Sequence, residues 1–243
     1  MLLSEIFEHL TYGELSTLDI GGLKKGGIQP EHYAQVISFI NMGLMDLYKK
    51  FILLEKSVTV DLYENITEYH LTYEHAQSNP APADPYITRY IADTGFNGPF
   101  TADILQIHSV YDKNFEEIPL NDLNDKNSVF TIMDNIVQVP YPGQGTYLDF
   151  IYQAAPKKIA LTTDTCNTED VLVPQQLLSA LTAYVGFRAH ISLPAGRNSK
   201  ATEHLSRYTD MTNEILHLGT LNKPTLKNLK LEDKGFKQDH YNG

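Results

Sequence analysis

The sequence predicts an α+β protein: a helical bundle with an inserted antiparallel β-sandwich or barrel domain, followed by a C-terminal arm. Three observations carry that expectation. Apolar residues recur at helical spacing up to Lys56 and again beyond Pro156; between those limits they alternate every second residue; and residues 219–243 hold isolated apolar side chains among five lysines. Two helical stretches flanking about 100 strand-rich residues are most simply one bundle interrupted by one insertion. The expected organisation is residues 1–56 with 157–218 as a discontinuous helical bundle, 57–156 as the β-domain, and 219–243 as an extended arm.

From the start of the chain, Leu2, Leu3, Ile6, Phe7 and Leu10 share one helical face, and Thr11 with Glu14 has capping-box spacing for one further turn. "GGLKKGG" at 21–27 reads as a loop, because a phosphate-binding loop would end in Gly-Lys-Ser/Thr and lead into a helix. Pro30 suits a first helical turn and opens the longest helix, "EHYAQVISFINMGLMDLYKKFILLEK". Its stripe is Tyr33, Ile37, Ile40, Leu44, Leu47, Tyr48 and Phe51, widened by Val36 and Leu54. About 26 residues at 1.5 Å each would span roughly 39 Å. Gly43 inside this helix costs on the order of 1 kcal/mol relative to alanine, and reads either as a close approach by a neighbour or as a tolerated surface glycine.

At Lys56 and Ser57 the period changes without a proline or glycine to mark it. Val58, Val60 and Leu62 alternate with Thr59, Asp61 and Tyr63, and the alternation resumes after Glu64-Asn65, which predicts a hairpin. Further strands are expected at 103–112, 128–134, 135–140 and 146–155, separated by turn-formers such as Asp112-Lys113-Asn114 and Pro142-Gly143-Gln144-Gly145. Residues 77–99 read as a proline-rich loop with one short helix at "DPYITRYIAD". Pro174 then opens a helix with Leu177, Leu178, Leu181, Tyr184, Val185 and Ile191 toward a core, and Ala180, Ala183 and Gly186 form a small-residue stripe for close packing. The turn "LPAGRN" leads to a last helix with Leu205, Tyr208, Thr212, Ile215 and Leu216 on one face, completing a helical hairpin.

Chemistry is sparse in these residues. The nine histidines never fall at zinc-binding spacing, and no nucleophile elbow or dinucleotide-binding glycine pattern occurs, so no metal, cofactor or catalytic residue is assigned. Cys166 lies in the acidic stretch "TTDTCNTED", where neighbouring negative charge hinders thiolate formation. Asp84, Asp93, Asp103, Glu116 and Glu117 offer the one route to catalysis, a glycosidase-type carboxylate pair. No signal peptide or apolar run of membrane-spanning length occurs, so the chain is expected to stay in the cytosol that makes it, off the membrane. Its 19 basic and 30 acidic residues give a formal charge of -11, which disfavours adhesion to phosphate backbones.

The opening "MLLSEIFEHLTYGELSTLDIGG", the helix "VISFINMGLMDLYKKFILLEKSVTVDL" running into a strand, "GTYLDFIYQAAP", and "VLVPQQLLSALTAYVGFRAHIS" followed by "KATEHLSRYTDMTNEI" together resemble the head-to-tail connector, or adaptor, proteins of tailed bacteriophages. In short-tailed phages the counterpart is a tail tubular protein. The resemblance implies a non-enzymatic virion protein of the tail or neck, made in the bacterial cytoplasm, whose copies form a ring, usually of twelve, below the portal protein. It implies that the ring prolongs the DNA channel without specific DNA binding and docks a downstream tail or nozzle protein. The adaptors' C-terminal segment commonly reaches onto the portal or a neighbouring subunit, which makes Leu226, Leu229, Leu231 and Phe236 the expected partner-binding anchors. Acidic side chains are expected to line the channel. The competing expectations are a tail-associated binding module and a carboxylate-dependent hydrolase.

Overall fold

The protein is represented by a computed structural model that describes residues 1–22, 26–80, 87–94, 98–160, 169–192, 198–219 and 221. The chain begins with helices, builds two antiparallel sheets, and returns to two packed helices. The first helix, α1 (Leu3–Tyr12), buries Leu3, Ile6, Phe7 and Leu10 as their spacing predicts, whereas Leu2 is exposed. Thr11 starts no new turn, because α1 runs through Tyr12 and the Glu14 side chain is taken up by an ion pair with Arg207. The capping carboxylate belongs instead to Glu5, which accepts the Leu2 N–H at 3.0 Å.

The long helix, α2 (Pro30–Lys50), ends six residues before Lys56, and strand β1 (Glu55–Asp61) begins two residues before Ser57. The change of period therefore falls at residues 51–54. Phe51 is already extended yet buried in the helical core, and Leu54 packs on the β core; the helical spacing persists in sequence because both cores claim apolar residues there.

The predicted hairpin of residues 58–71 does not form. Strand β1 is flanked by β3 (Ile91–Ala92) and β8 (Tyr147–Ala154), whereas β2 (Glu68–His70) pairs with β7 (Ile136–Gln138) in the other sheet. Both edges of β1 are occupied, so β2 must find its partner elsewhere. Its other edge meets the Tyr90 hydroxyl, which accepts the His70 N–H at 2.7 Å and donates to the His70 carbonyl at 3.0 Å in place of a strand. Burial foremost pushes the Tyr90 phenol up to about 12, so it remains a donor at neutral pH.

The larger sheet has the order β3-β1-β8-β4-β5, with β4 (Ile104–Tyr111) and β5 (Glu117–Ile118); the smaller has β2-β7-β6, with β6 (Phe130–Met133). One apolar cluster draws on both sheets, from Val60, Val110 and Phe150 in the larger to Tyr69 and Val137 in the smaller. The sheets do not close into a barrel. Residues 87–93 contain no helix but the short strand β3, whose backbone is needed at the β1 edge; residues 84–86 lie outside the described residues.

The helices form a second cluster with residues from both parts of the chain, including Leu10, Ile40, Leu47, Leu181 and Tyr208. Helix α3 (Gln175–Ile191) is apolar on nearly all sides and is packed by its neighbours, as such a helix must be; of its apolar side chains only Ile191, at its last turn, points out. Helix α4 (Asn198–Leu218) runs antiparallel to α3, with Tyr208 beside Tyr184 and His204 beside His190. Its inner face is Ala201, His204, Tyr208 and Thr212, while Leu205 and Leu216 are exposed, contrary to the expected stripe. The inner face needs small and polar side chains because α3 offers Gly186 and His190 there.

Both small-residue signals serve internal packing. A side chain at Gly43 would lie 2.8 Å from Leu181 Cδ1 and 3.0 Å from Tyr184 Cδ1, and one at Gly186 would lie 3.0 Å from Glu14 Cβ. Ala180 and Ala183 are fully buried within the same bundle. Gly43→Val is expected to lose about 1–3 kcal/mol in urea unfolding, since Leu181 is itself buried and must shift. Unchanged stability would mean that α2 and α3 do not meet at Gly43.

Candidate functional site

The sequence-expected anchors Leu226, Leu229, Leu231 and Phe236 lie outside the described residues, as do Cys166, Asp84 and most of the "LPAGRN" turn. The remaining carboxylate candidates are dispersed. Asp93 is buried and accepts hydrogen bonds from the Phe100 N–H at 2.7 Å, the Ser78 N–H at 2.8 Å and the Ser78 hydroxyl. Burial pushes its carboxyl up, but these hydrogen bonds outweigh that and hold it below the usual carboxylate range. It braces two loops. Asp103 pairs with Lys56 Nζ at 2.6 Å and accepts from the Tyr152 hydroxyl at 3.1 Å. Burial, and then the nearby Asp103 charge, push the Tyr152 phenol up. Glu116 and Glu117 are exposed at the far end of β4. A cleft of about 570 Å³ between β1 and residues 98–101 contains Lys56, Asp93, Thr101 and Tyr152, and Lys56 and Asp93 there are already engaged with partners.

Histidines are likewise drawn into packing. His75 stacks on Tyr90 with ring centres 4.5 Å apart, and His70 lies 6.2 Å from His75. Among the described residues no group of three or more His, Cys, Asp or Glu is placed to hold a metal ion.

The arrangement with the clearest mechanical consequence is the joint between helices and sheets. A helix leaves its last four carbonyls without intrahelical donors. At the end of α2, the Gln153 side chain supplies one: its Nε2 donates to the Phe51 carbonyl at 2.9 Å and to the Tyr48 carbonyl. Gln153 belongs to β8, which pairs with β1 at every position from Glu55 to Asp61. The Ala154 N–H donates to the Leu54 carbonyl at 2.9 Å, extending the ladder to the end of the helix. Past β8 the chain stays tied to α2, as Asn41 donates to the Ile159 carbonyl at 3.0 Å and accepts its N–H at 2.9 Å. The Tyr48 hydroxyl donates to the Leu172 carbonyl at 2.8 Å. Chain leaving the helices and chain returning to them are thus fastened side by side. Sequence reasoning found the joint to within a few residues but not Gln153, which stands at an outward position of β8 between Tyr152 and Ala154, where alternation expects a polar residue and nothing marks it as buried.

A second buried polar cluster lies where α1's following loop meets α3 and α4. His190 and His204 stack with ring centres 4.9 Å apart, and Glu14 lies 2.9 Å from His204 Nδ1 and 3.1 Å from Arg207. Despite that distance His204 Nδ1 lacks hydrogen-bond geometry, and His190 Nδ1 has no partner. Burial first, then His204 and Lys200, push His190 down, with Glu14 opposing. Burial also pushes His204 down, against Glu14 and Glu203 and together with Arg207 and Lys200.

No protein-family model matches the chain, and no curated protein matches it.

Two outcomes test these clusters. Gln153→Glu replaces the donor with a charge facing two carbonyl oxygens and is expected to lose about 2–4 kcal/mol at neutral pH in urea unfolding, recovering in part as acid protonates it. Gln153→Met, which leaves only the carbonyls unsatisfied, is expected to lose about 1–3 kcal/mol; wild-type stability in both would dismiss the capping role. For the histidines, the folded state resists protonation, so their contribution is complete above the unfolded value of about 6.5 and is lost as pH falls below it. The urea midpoint should decline from pH 7 to pH 5, less steeply in His190→Gln; equal slopes would dismiss the pair as its source.

Proposed function

We propose that the protein is a structural virion component, a head-to-tail adaptor whose copies form a ring below the portal of a tailed bacteriophage. The supporting observation is the division of the chain between two cores. Residues 3–51 and 159–208 contribute to one apolar cluster and residues 58–154 to another. Two cores of this kind support the arrangement that the resemblance implies, a helical bundle with an inserted β-domain. The quoted segments that carry the resemblance coincide with α1, α2 with β1, β8, α3 and α4.

In this function the protein works by shape. The ring prolongs the DNA channel, presents one face to the portal and the other to a downstream tail or nozzle protein, and needs no cofactor. An excess of acidic residues, giving -11 overall, leaves DNA without a sticking point in a lumen lined by carboxylates. The arm reaches the portal or a neighbouring subunit through Leu226, Leu229, Leu231 and Phe236. No helix among the described residues is long and apolar enough to cross a membrane. The hydrolase alternative draws little support from Asp93 and Asp103, each already committed to loop or strand partners.

Mass measurement of the protein alone and mixed with portal protein tests the assignment. A joint complex containing a ring of copies is expected, weakened when the four arm residues are replaced by serine. A protein that never joins portal, or one that holds DNA tightly at physiological salt, overturns it.

A further inference from the structure

Three of the most exposed large apolar side chains lie at one end of the β-domain: Phe115, 78% exposed, Leu123, 89%, and Tyr141, 71%. Their loops converge, since Lys113, Asn127 and Tyr141, one from each loop, line a single cleft of about 210 Å³. They are held in place. Asp112 accepts the N–H groups of Asn114 and Glu116 at 2.8 Å each, and Phe115 between them adopts a left-handed backbone with φ 62°. Around Leu123, Asp122 accepts the Asn124 N–H at 2.9 Å, Asp125 accepts the Asn127 N–H at 2.8 Å, and the Ser128 hydroxyl accepts the Asp122 N–H at 2.9 Å. A strained backbone and braced loops that hold apolar side chains in water are unexplained by the subunit's own packing. In these loops Asp112, Glu116, Glu117, Asp122 and Asp125 outnumber Lys113 and Lys126, which gives this tip a net acidic rim.

A surface of complementary character lies on the helices. Met42, Met45, Pro156 and Tyr184 line a groove of about 550 Å³ beside α2, and Lys49 and Lys158 stand at its rim. Neither lysine forms an ion pair among the described residues. Asp46 also lines the groove but is paired with Lys50 at 3.1 Å, so in a chain with a net charge of -11 the two unpaired lysines make this a local basic, apolar site. The tip is at the end of β1 away from the joint, roughly 20 Å along seven residues of strand, whereas the groove adjoins the joint. One chain cannot fold its tip back into its own groove.

We propose that the Phe115–Leu123–Tyr141 tip of one copy docks in the Met42–Tyr184 groove of the next. The two surfaces differ, so the contact is heterologous and repeats from copy to copy, closing into a ring when the rotation permits. The contact rests on the ring function for its setting, and its test is independent of portal. In a Cys166→Ser background, a Leu123→Cys protein is mixed at high concentration with a Met42→Cys protein and treated with a short bis-maleimide. The expected product is a mixed dimer, several-fold more abundant than when the partner carries Tyr12→Cys, a position exposed elsewhere on the surface. Adding Lys49→Glu and Lys158→Glu to the Met42→Cys partner, with its fold checked by circular dichroism, should lower the yield several-fold. A yield no higher than the control, or one unaffected by charge reversal, overturns the docking. Failure to join portal while this cross-link forms would instead overturn the adaptor assignment alone.

Discussion

The end of α2 imposes the constraint on which the rest of the molecule depends. Tyr48 and Phe51 are buried, so the carbonyls there have no water to satisfy them, and an unpaired carbonyl in such a place costs about 1–3 kcal/mol. Gln153 satisfies two of them from a strand that lies 102 residues further along the chain. For that amide to arrive, β8 must lie alongside β1 in one register, and β1 must follow the helix after residues 51–54 alone. The same register places Phe150, Leu148 and Tyr152 toward the β core with Val58 and Val60. One capped helix end therefore couples the register of the central strands to the position of the bundle.

Periodicity made the element types legible, and it did so where one face of an element meets one core. α1, the body of α2, β4, β8 and α3 follow from their patterns for that reason. It failed where a segment serves two cores or where the edge partner matters. Phe51 and Leu54 preserve helical spacing because one is claimed by the helices and the other by the sheets, and the helix has ended between them. Alternation at residues 58–71 identifies two strands but carries no information about which edge each will use; that choice depends on β8, which is nearly 100 residues away, and on the Tyr90 hydroxyl. The site was less legible still. A glutamine in a strand announces nothing about a helix end, and the carboxylates that suggested catalysis were visible by type while their hydrogen-bond partners were not.

The polar interior follows a consistent logic. Asp93, Gln153, Tyr69 and Tyr90 each satisfy backbone groups where regular pairing stops: at a loop, a helix end, a turn and a strand edge. These groups let short and irregular elements be buried without orphaned donors. The His190–His204 pair differs, because it satisfies little, and burial foremost, with neighbouring positive charge, disfavours its protonation. It occupies the narrow gap set by Gly186, where a larger apolar side chain would meet Glu14 or α4.

In the proposed ring the joint has a geometrical consequence. A heterologous contact between a β tip and a bundle groove fixes the rotation between neighbouring copies only if tip and groove are fixed within each copy. A domain carried on a single flexible linker would swing, and the same contact would then generate open chains or rings of varying number. Here two chain crossings, at residues 51–54 and 154–159, are bonded to each other and to α2. Bending at one crossing must strain the other, and the buried amide between them leaves no water to replace a broken hydrogen bond. The stiffness of the joint is therefore what would convert a local docking angle into a closed ring.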